Sequence, residues 1–281
     1  AKPLDRPGTT FTLSTKGVLD QSSRKDDDIT PEIAVLLSHT FMDDTLGFAL
    51  TGSFQERKSG EATGRTTSWQ EFPAIPSNNG LNINAPSDGA IPAVPRESTY
   101  ALDEYDRVRE NAQLTLQWQP SDTLTATLDY TYARLDLAHV GNTVGTYYGQ
   151  IREEGTWVTI DNVASPLIYT ESNNQTDFVM ATSDDGQLNE RKSLGFNIAW
   201  DPTDRLSLEL DVHQSSATST PNGRFGSTSM IAMSAYGREV ASTNFTSEVP
   251  VLSVQLAEPL SPDDMHISGS KFENFWADMD L

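Results

Sequence analysis

Cysteine is absent from the 281 residues, which excludes disulfides, iron–sulfur clusters and thiolate zinc sites. Basic residues are scarce. Lys plus Arg number 19 against 40 Asp plus Glu, a formal net charge of −21. Without a basic excess to neutralise phosphates, nucleic acid is excluded as the main partner. No apolar run reaches the roughly 18 residues of a transmembrane helix. That exclusion does not touch membrane β-strands, which need only about 9–11 residues with every second one apolar. The N-terminus, Ala1-Lys2-Pro3-Leu4-Asp5-Arg6-Pro7-Gly8, lacks the apolar stretch of a signal peptide. It reads as a chain entered partway along. The hydrophobic share is low at 36%, yet 5 Trp, 8 Tyr and 11 Phe argue against disorder.

What is present is a period of two. Ala112, Leu114, Leu116 and Trp118 share one strand face, opposite Gln113, Thr115, Gln117 and Gln119. Pro120-Ser121-Asp122-Thr123 supplies turn residues, and the alternation resumes with Leu124, Ala126, Leu128, Tyr130 and Tyr132. The unit recurs downstream. Leu194, Phe196, Ile198 and Trp200 precede a turn at Pro202-Thr203-Asp204-Arg205, and Leu206, Leu208, Leu210 and Val212 follow it. A weaker copy runs from Ile33 to Phe41, through Met42-Asp43-Asp44-Thr45, to Leu46–Phe54, with one strand before it at Thr10–Leu19. The sequence predicts an all-β chain of antiparallel hairpins near 10–58, 107–139 and 190–219, with about seven to nine strands. Long loops are expected at 59–106, 141–189 and 221–270. Turns of about four residues alternate with connections of about 50, far beyond the usual loop length. That asymmetry is shared with outer-membrane barrels, which have short periplasmic turns and long extracellular loops.

Alternation alone leaves two readings open. In a soluble sandwich or barrel the apolar stripe faces a core. In a membrane barrel it faces lipid and the polar face lines a wet lumen. Aromatics near the stripe ends (Trp118, Trp200, Tyr130, Tyr132) and charged groups inside the polar faces (Asp129, Glu209, Asp211) favour lipid. A propeller is disfavoured. Trp200-Asp201 is a Trp-Asp pair, but 141–189 shows no comparable alternation.

Three stretches carry a family resemblance: Lys2–Gly8 leading into a strand, Ile29–Phe54 with Ser38-His39-Thr40-Phe41, and Arg109-Glu110-Asn111-Ala112-Gln113-Leu114 through to Tyr130. They resemble barrel segments of TonB-dependent outer-membrane receptors, especially the branch linked to carbohydrate uptake. The resemblance implies residues 1–281 as one partial transmembrane β-barrel, the first third, with antiparallel up-and-down strands and long extracellular loops. It implies localisation in the cell outer membrane, contact with outer-membrane lipid, and energised uptake of a small-molecule nutrient (saccharide, siderophore or vitamin). Coupling would run to the TonB energy-transducing complex through a plug absent from this sequence. A soluble β-rich carbohydrate-binding or adhesin module is the alternative, and a β-rich glycan hydrolase a third.

Ligand contacts are expected from aromatics of the long loops, which also hold Phe72, Tyr100 and Tyr105. Trp69, Tyr147, Tyr148, Trp157 and Tyr169 are the candidates for stacking on sugar faces, with Gly145 and Gly149 leaving the tyrosine pair room. No catalytic residue, metal ligand or cofactor is expected. Asp26-Asp27-Asp28 lacks the spacing of a calcium loop and reads as a solvated turn. His39, His139, His213 and His266 stand isolated in sequence. Ser22–Lys25 and Ser268–Lys271 fit S-x-x-K without its companion motifs. Asn174-Gln175-Thr176 and Asn244-Phe245-Thr246 match glycosylation sequons by chance.

Overall fold

The structure is a computed structural model and describes residues 2–25, 29–71, 82–85, 89–149, 153–172, 178–259 and 261–281. Asp26-Asp27-Asp28, Phe72 and Asn174-Gln175-Thr176 lie outside them. Among the described residues seventeen strands follow in chain order. They are β1 (Thr9–Val18), β2 (Thr30–Phe41), β3 (Leu46–Thr67), β4 (Gln70–Glu71), β5 (Asn82–Ile83), β6 (Ile91–Val94), β7 (Glu97–Ser121) and β8 (Leu124–Tyr147). Then come β9 (Glu153–Ile160), β10 (Val163–Ser172), β11 (Phe178–Thr203), β12 (Leu206–Pro221) and β13 (Thr228–Ala235). The last are β14 (Arg238–Asn244), β15 (Val251–Leu256), β16 (His266–Glu273) and β17 (Ala277–Asp280). There is no α-helix among the described residues, only two short 3₁₀ turns.

The main sheet has ten strands, with the path β1-β2-β3-β7-β8-β11-β12-β17 and with β13 and β16 branching from β11. Every pairing in it is antiparallel. The hairpins fall where the alternation put them, but their strands run much further. β3 and β7 pair without a break from Leu46↔Trp118 to Thr67↔Glu97, and β8 and β11 from Leu124↔Trp200 to Thr146↔Phe178. The expected loops 59–106 and 141–189 are therefore strand at both ends. The ladder continues after the apolar stripe stops, because backbone pairing needs no apolar face; period two simply vanishes where both faces are polar.

Part of the polar face is buried while the apolar stripes are exposed. Thr115 (6% exposed), Gln117 (3%) and Thr127 (3%) are buried, whereas Trp118 (51%), Leu210 (54%) and Phe11 (64%) are exposed. Ser38 and Thr40 are also buried on the polar face. Part of the cover is the N-terminal segment. The Leu4 N–H donates to Gln117 Oε1 at 3.1 Å and the Gly8 N–H to Thr40 Oγ1 at 2.6 Å. A Cβ at Gly47 would stand 3.0 Å from Pro3 and 3.1 Å from Leu4, so this segment lies against bare backbone.

A second, seven-stranded sheet caps the ends of the long strands away from the tight turns. Its path is β15-β14-β10-β6-β4, with β9 on β10 and β5 on β9. Three separate insertions feed it: β4–β6, β9–β10 and β14–β15. The pairings β6–β10 and β5–β9 are parallel and join different insertions. The β9–β10 hairpin turns on Asp161 and Asn162 at φ 48° and 68°, the pair of left-handed residues that a two-residue hairpin demands. Val94, Tyr148, Trp157, Ala164, Tyr169 and Ala241 form its apolar core.

Candidate functional site

Three of the five expected ligand contacts are buried. Tyr148 (1% exposed), Trp157 (2%) and Tyr169 (0%) are core residues of the cap. Trp157 donates its indole N–H to Asn82 Oδ1 at 3.0 Å. Tyr148 meets Tyr169 edge-on with centroids 4.9 Å apart, and its hydroxyl lies 2.5 Å from Thr243 Oγ1. Burial pushes the Tyr148 pKa up to about 12 against the opposing hydrogen bonds of Thr243 and Ser98. Gly145 gives no freedom, since a Cβ there would meet Thr99 and the Ser98 carbonyl. Trp69 and Tyr147 are exposed at 43% and 45%. Trp69 leans on Phe245, centroids 5.4 Å apart.

Beside these rings sits a buried ion pair. Arg238 Nη2 is 3.1 Å from Glu171 Oε2, and both side chains are fully buried. Arg238 also donates to Thr146 Oγ1 at 2.6 Å and to the Tyr147 carbonyl at 2.7 Å. Glu171 accepts from the Tyr169 hydroxyl and the Gly149 N–H, each at 2.9 Å. Tyr100 ties a third insertion down, donating to the Pro250 carbonyl and accepting the Leu252 N–H, both at 2.7 Å.

His139 is isolated in sequence but not in space. Its Nε2 is 2.8 Å from Asp103 Oδ1 and its Nδ1 is 3.0 Å from Asp185 Oδ2, while Tyr105 stacks on the ring at 4.8 Å. The four residues bridge β7, β8 and β11 on the polar face, beyond the apolar stripe. Burial alone would lower the imidazole pKa. The hydrogen bonds and charges of Asp185 and Asp103 outweigh it and raise the pKa. No signal in the sequence joins these groups, because register across three strands sets the contact. The other histidines gain no such pair of carboxylates. His39 lies 2.8 Å from the Thr9 hydroxyl, and His213 is 3.8 Å from Asp211. No group of three His, Asp or Glu that could hold a metal occurs among the described residues.

Between the His139 row and the tight turns, the polar face carries open concavities. One of about 450 Å³ is lined by Arg109, Asn111, Ala133, Arg134, Leu135, Asn189 and Arg191. Another, of about 400 Å³, runs along β1–β8 and includes Ser14, Thr51, Asn111 and Thr131. Trp69 and Tyr147 line neither. Asp129 accepts the Thr115 hydroxyl at 2.5 Å, and Asn197 donates to both Glu209 and Asp211 at 2.9 and 3.2 Å. The S-x-x-K matches open no helix: Lys271 sits on β16 paired with Glu273 at 2.9 Å, and Lys25 pairs with Asp106 at 3.4 Å. In the second sequon, Asn244 Oδ1 closes a local turn on Thr246. No family model, curated protein or solved structure matches this chain.

Proposed function

We propose that this chain is part of the barrel wall of a TonB-dependent outer-membrane receptor for energised nutrient uptake. One observation carries the reading: the apolar stripes of the main sheet are exposed, while Thr115, Gln117 and Thr127 on its other face are buried. In water that arrangement leaves a large apolar patch unburied, which a soluble protein avoids. Against lipid it is the stable arrangement, with the polar face turned to a hydrated lumen. The stripe from Leu124 to Tyr132 corresponds to about 30 Å of strand, enough to cross the hydrocarbon layer at a tilt. Trp118 and Trp200 mark one rim and Tyr130 and Tyr132 the other, as amphipathic rings do at membrane interfaces.

The rows above Tyr132 bring charged side chains onto the outward face. Tyr132 donates to Glu190 at 2.9 Å, and Arg134 pairs with Asp136 and Glu110 at 3.4 and 3.5 Å. The cap then stands outside the membrane, and a saccharide, siderophore or vitamin would enter past it. A soluble carbohydrate-binding module would need the Leu114–Leu116–Trp118 and Leu206–Leu208–Leu210 stripes to face a second sheet. Trp118, Leu208 and Leu210 instead remain 51%, 46% and 54% exposed.

The test is fractionation of native cells with an antibody against this segment. The expected product is an outer-membrane band well above 30.8 kDa whose mobility in SDS shifts on heating. A soluble band near 30.8 kDa overturns the proposal.

A further inference from the structure

Arginine is concentrated at one place on the polar face. Register sets Arg57 directly opposite Arg107. The next row toward the turns holds Gln55, Arg109, Leu135 and Asn189, and the one after it Ser53, Asn111, Ala133 and Arg191. Four guanidiniums thus fall within three neighbouring rows of a chain whose net charge is −21. Like charges directly opposite in a ladder destabilise it. Arg57 is compensated, since Glu32 lies 2.5 Å from its Nη2. Arg107, Arg109 and Arg191 have no ion pair among the described residues.

The nearby carboxylates are engaged elsewhere. Glu32 is held by Arg57, Gln55 and Lys16, Asp103 and Asp185 by His139, and Asp129 by Thr115. Asp20 is held by Ser22 and feels Arg57 and Arg107 only at a distance. Arg109 and Arg191 sit diagonally across the small Ala133, with Asn111 and Asn189 on the other diagonal, around the concavity of about 450 Å³. Planar guanidinium forks match oxyanions bidentately, and asparagine amides can serve hydroxyls beside them.

We propose that Arg107, Arg109 and Arg191, with Asn111 and Asn189, form a binding site for a small solute bearing carboxylate or phosphate groups. The inference deepens the uptake reading, and rests on it only in taking that solute as the cargo.

The test is calorimetric titration of the 281-residue chain in detergent with trigalacturonate and with pyrophosphate, maltotriose serving as the neutral match. Binding of at least one anion should exceed that of maltotriose tenfold or more and fall steeply with added NaCl. R109Q and R191Q should each weaken it at least tenfold, R109K less, and R205Q, in a remote turn, not at all. The emission component lost in W157F, that of buried Trp157, checks that each variant is folded. Equal affinity for maltotriose and the anions overturns the proposal, as does unchanged binding in folded R109Q and R191Q. Tight binding of a decameric poly-glutamate peptide without either small anion also overturns it, and makes the patch a dock for acidic polypeptide. Outer-membrane fractionation together with failed anion binding would sink this inference and leave the receptor reading standing. A soluble product would sink the receptor reading whatever the titration gave.

Discussion

Replacing Glu171 by Gln keeps the shape of the side chain but leaves a buried guanidinium without its counter-ion. In the cap, Glu171 receives Arg238 at 3.1 Å and the Tyr169 hydroxyl and Gly149 N–H at 2.9 Å. Both ion-pair partners are fully buried, so water cannot substitute. Removing one partner of such a pair costs about 3–5 kcal/mol. The surface pair Arg24–Glu104, at 3.0 Å but with Arg24 40% exposed, should yield about 1 kcal/mol or less in R24Q. Urea unfolding followed by tryptophan emission separates the two. Trp157 is 2% exposed, whereas Trp69, Trp118, Trp200 and Trp276 are 43–68% exposed. The emission component that W157F removes therefore reports the cap. With a urea slope of about 1–3 kcal/mol/M, the E171Q midpoint should fall by roughly 1 M or more. The double variant E171M/R238M should recover much of the loss, because an apolar pair leaves no charge unpaired. An E171Q midpoint within about 0.3 M of the parent, on that same slope, would refute the reasoning.

Three further outcomes are expected. The folded-state pKa of His139 is raised, so its stabilisation is complete below the unfolded value of about 6.5 and is lost as pH rises through the folded value. Backbone amides of 103–106 and 183–186 should therefore lose protection from hydrogen exchange above that window, beyond the intrinsic rate increase, and H139Q should flatten the effect; identical profiles would exclude the clamp. L210R places a cation in the middle of the apolar stripe, and should cost about 2–4 kcal/mol of folding stability in lipid vesicles; a negligible effect there would count against a lipid-facing stripe. G186A should disrupt the junction of β11 with the turn before β13, because a Cβ at Gly186 meets the Gly223 backbone; a thermal midpoint equal to the parent's would contradict that packing.

The hairpins were legible because one face of each is apolar, and period two appears only when the faces differ. Residues 97–106 and 141–147 carry the same ladder with polar groups on both sides, so they read as loop. The cap was illegible for another reason. β4 and β5 have two residues each, and β5 and β6 take partners from another insertion, so no local pattern announces them. Tyr148, Trp157 and Tyr169 stood out as aromatics in irregular sequence, which suits a buried core as well as it suits a ligand. The flanking glycines misled, since Gly145 marks close packing and not open space. Arg109 and Arg191 were visible as residues, but only the β7–β8–β11 register brings them around Ala133.

The cap has a mechanical consequence. It is woven from three insertions, borne on the strand pairs β3–β7, β8–β11 and β13–β16, and joined by β6–β10, β5–β9 and β10–β14 pairing. In a chain without cysteine, this weave is the cross-link between them. A molecule that displaces any one insertion must shift or break its pairing with the others. The continuous β8–β11 ladder ties the cap to the tight-turn end at Trp200 in one register, because slipping by one residue would turn every side chain to the wrong face.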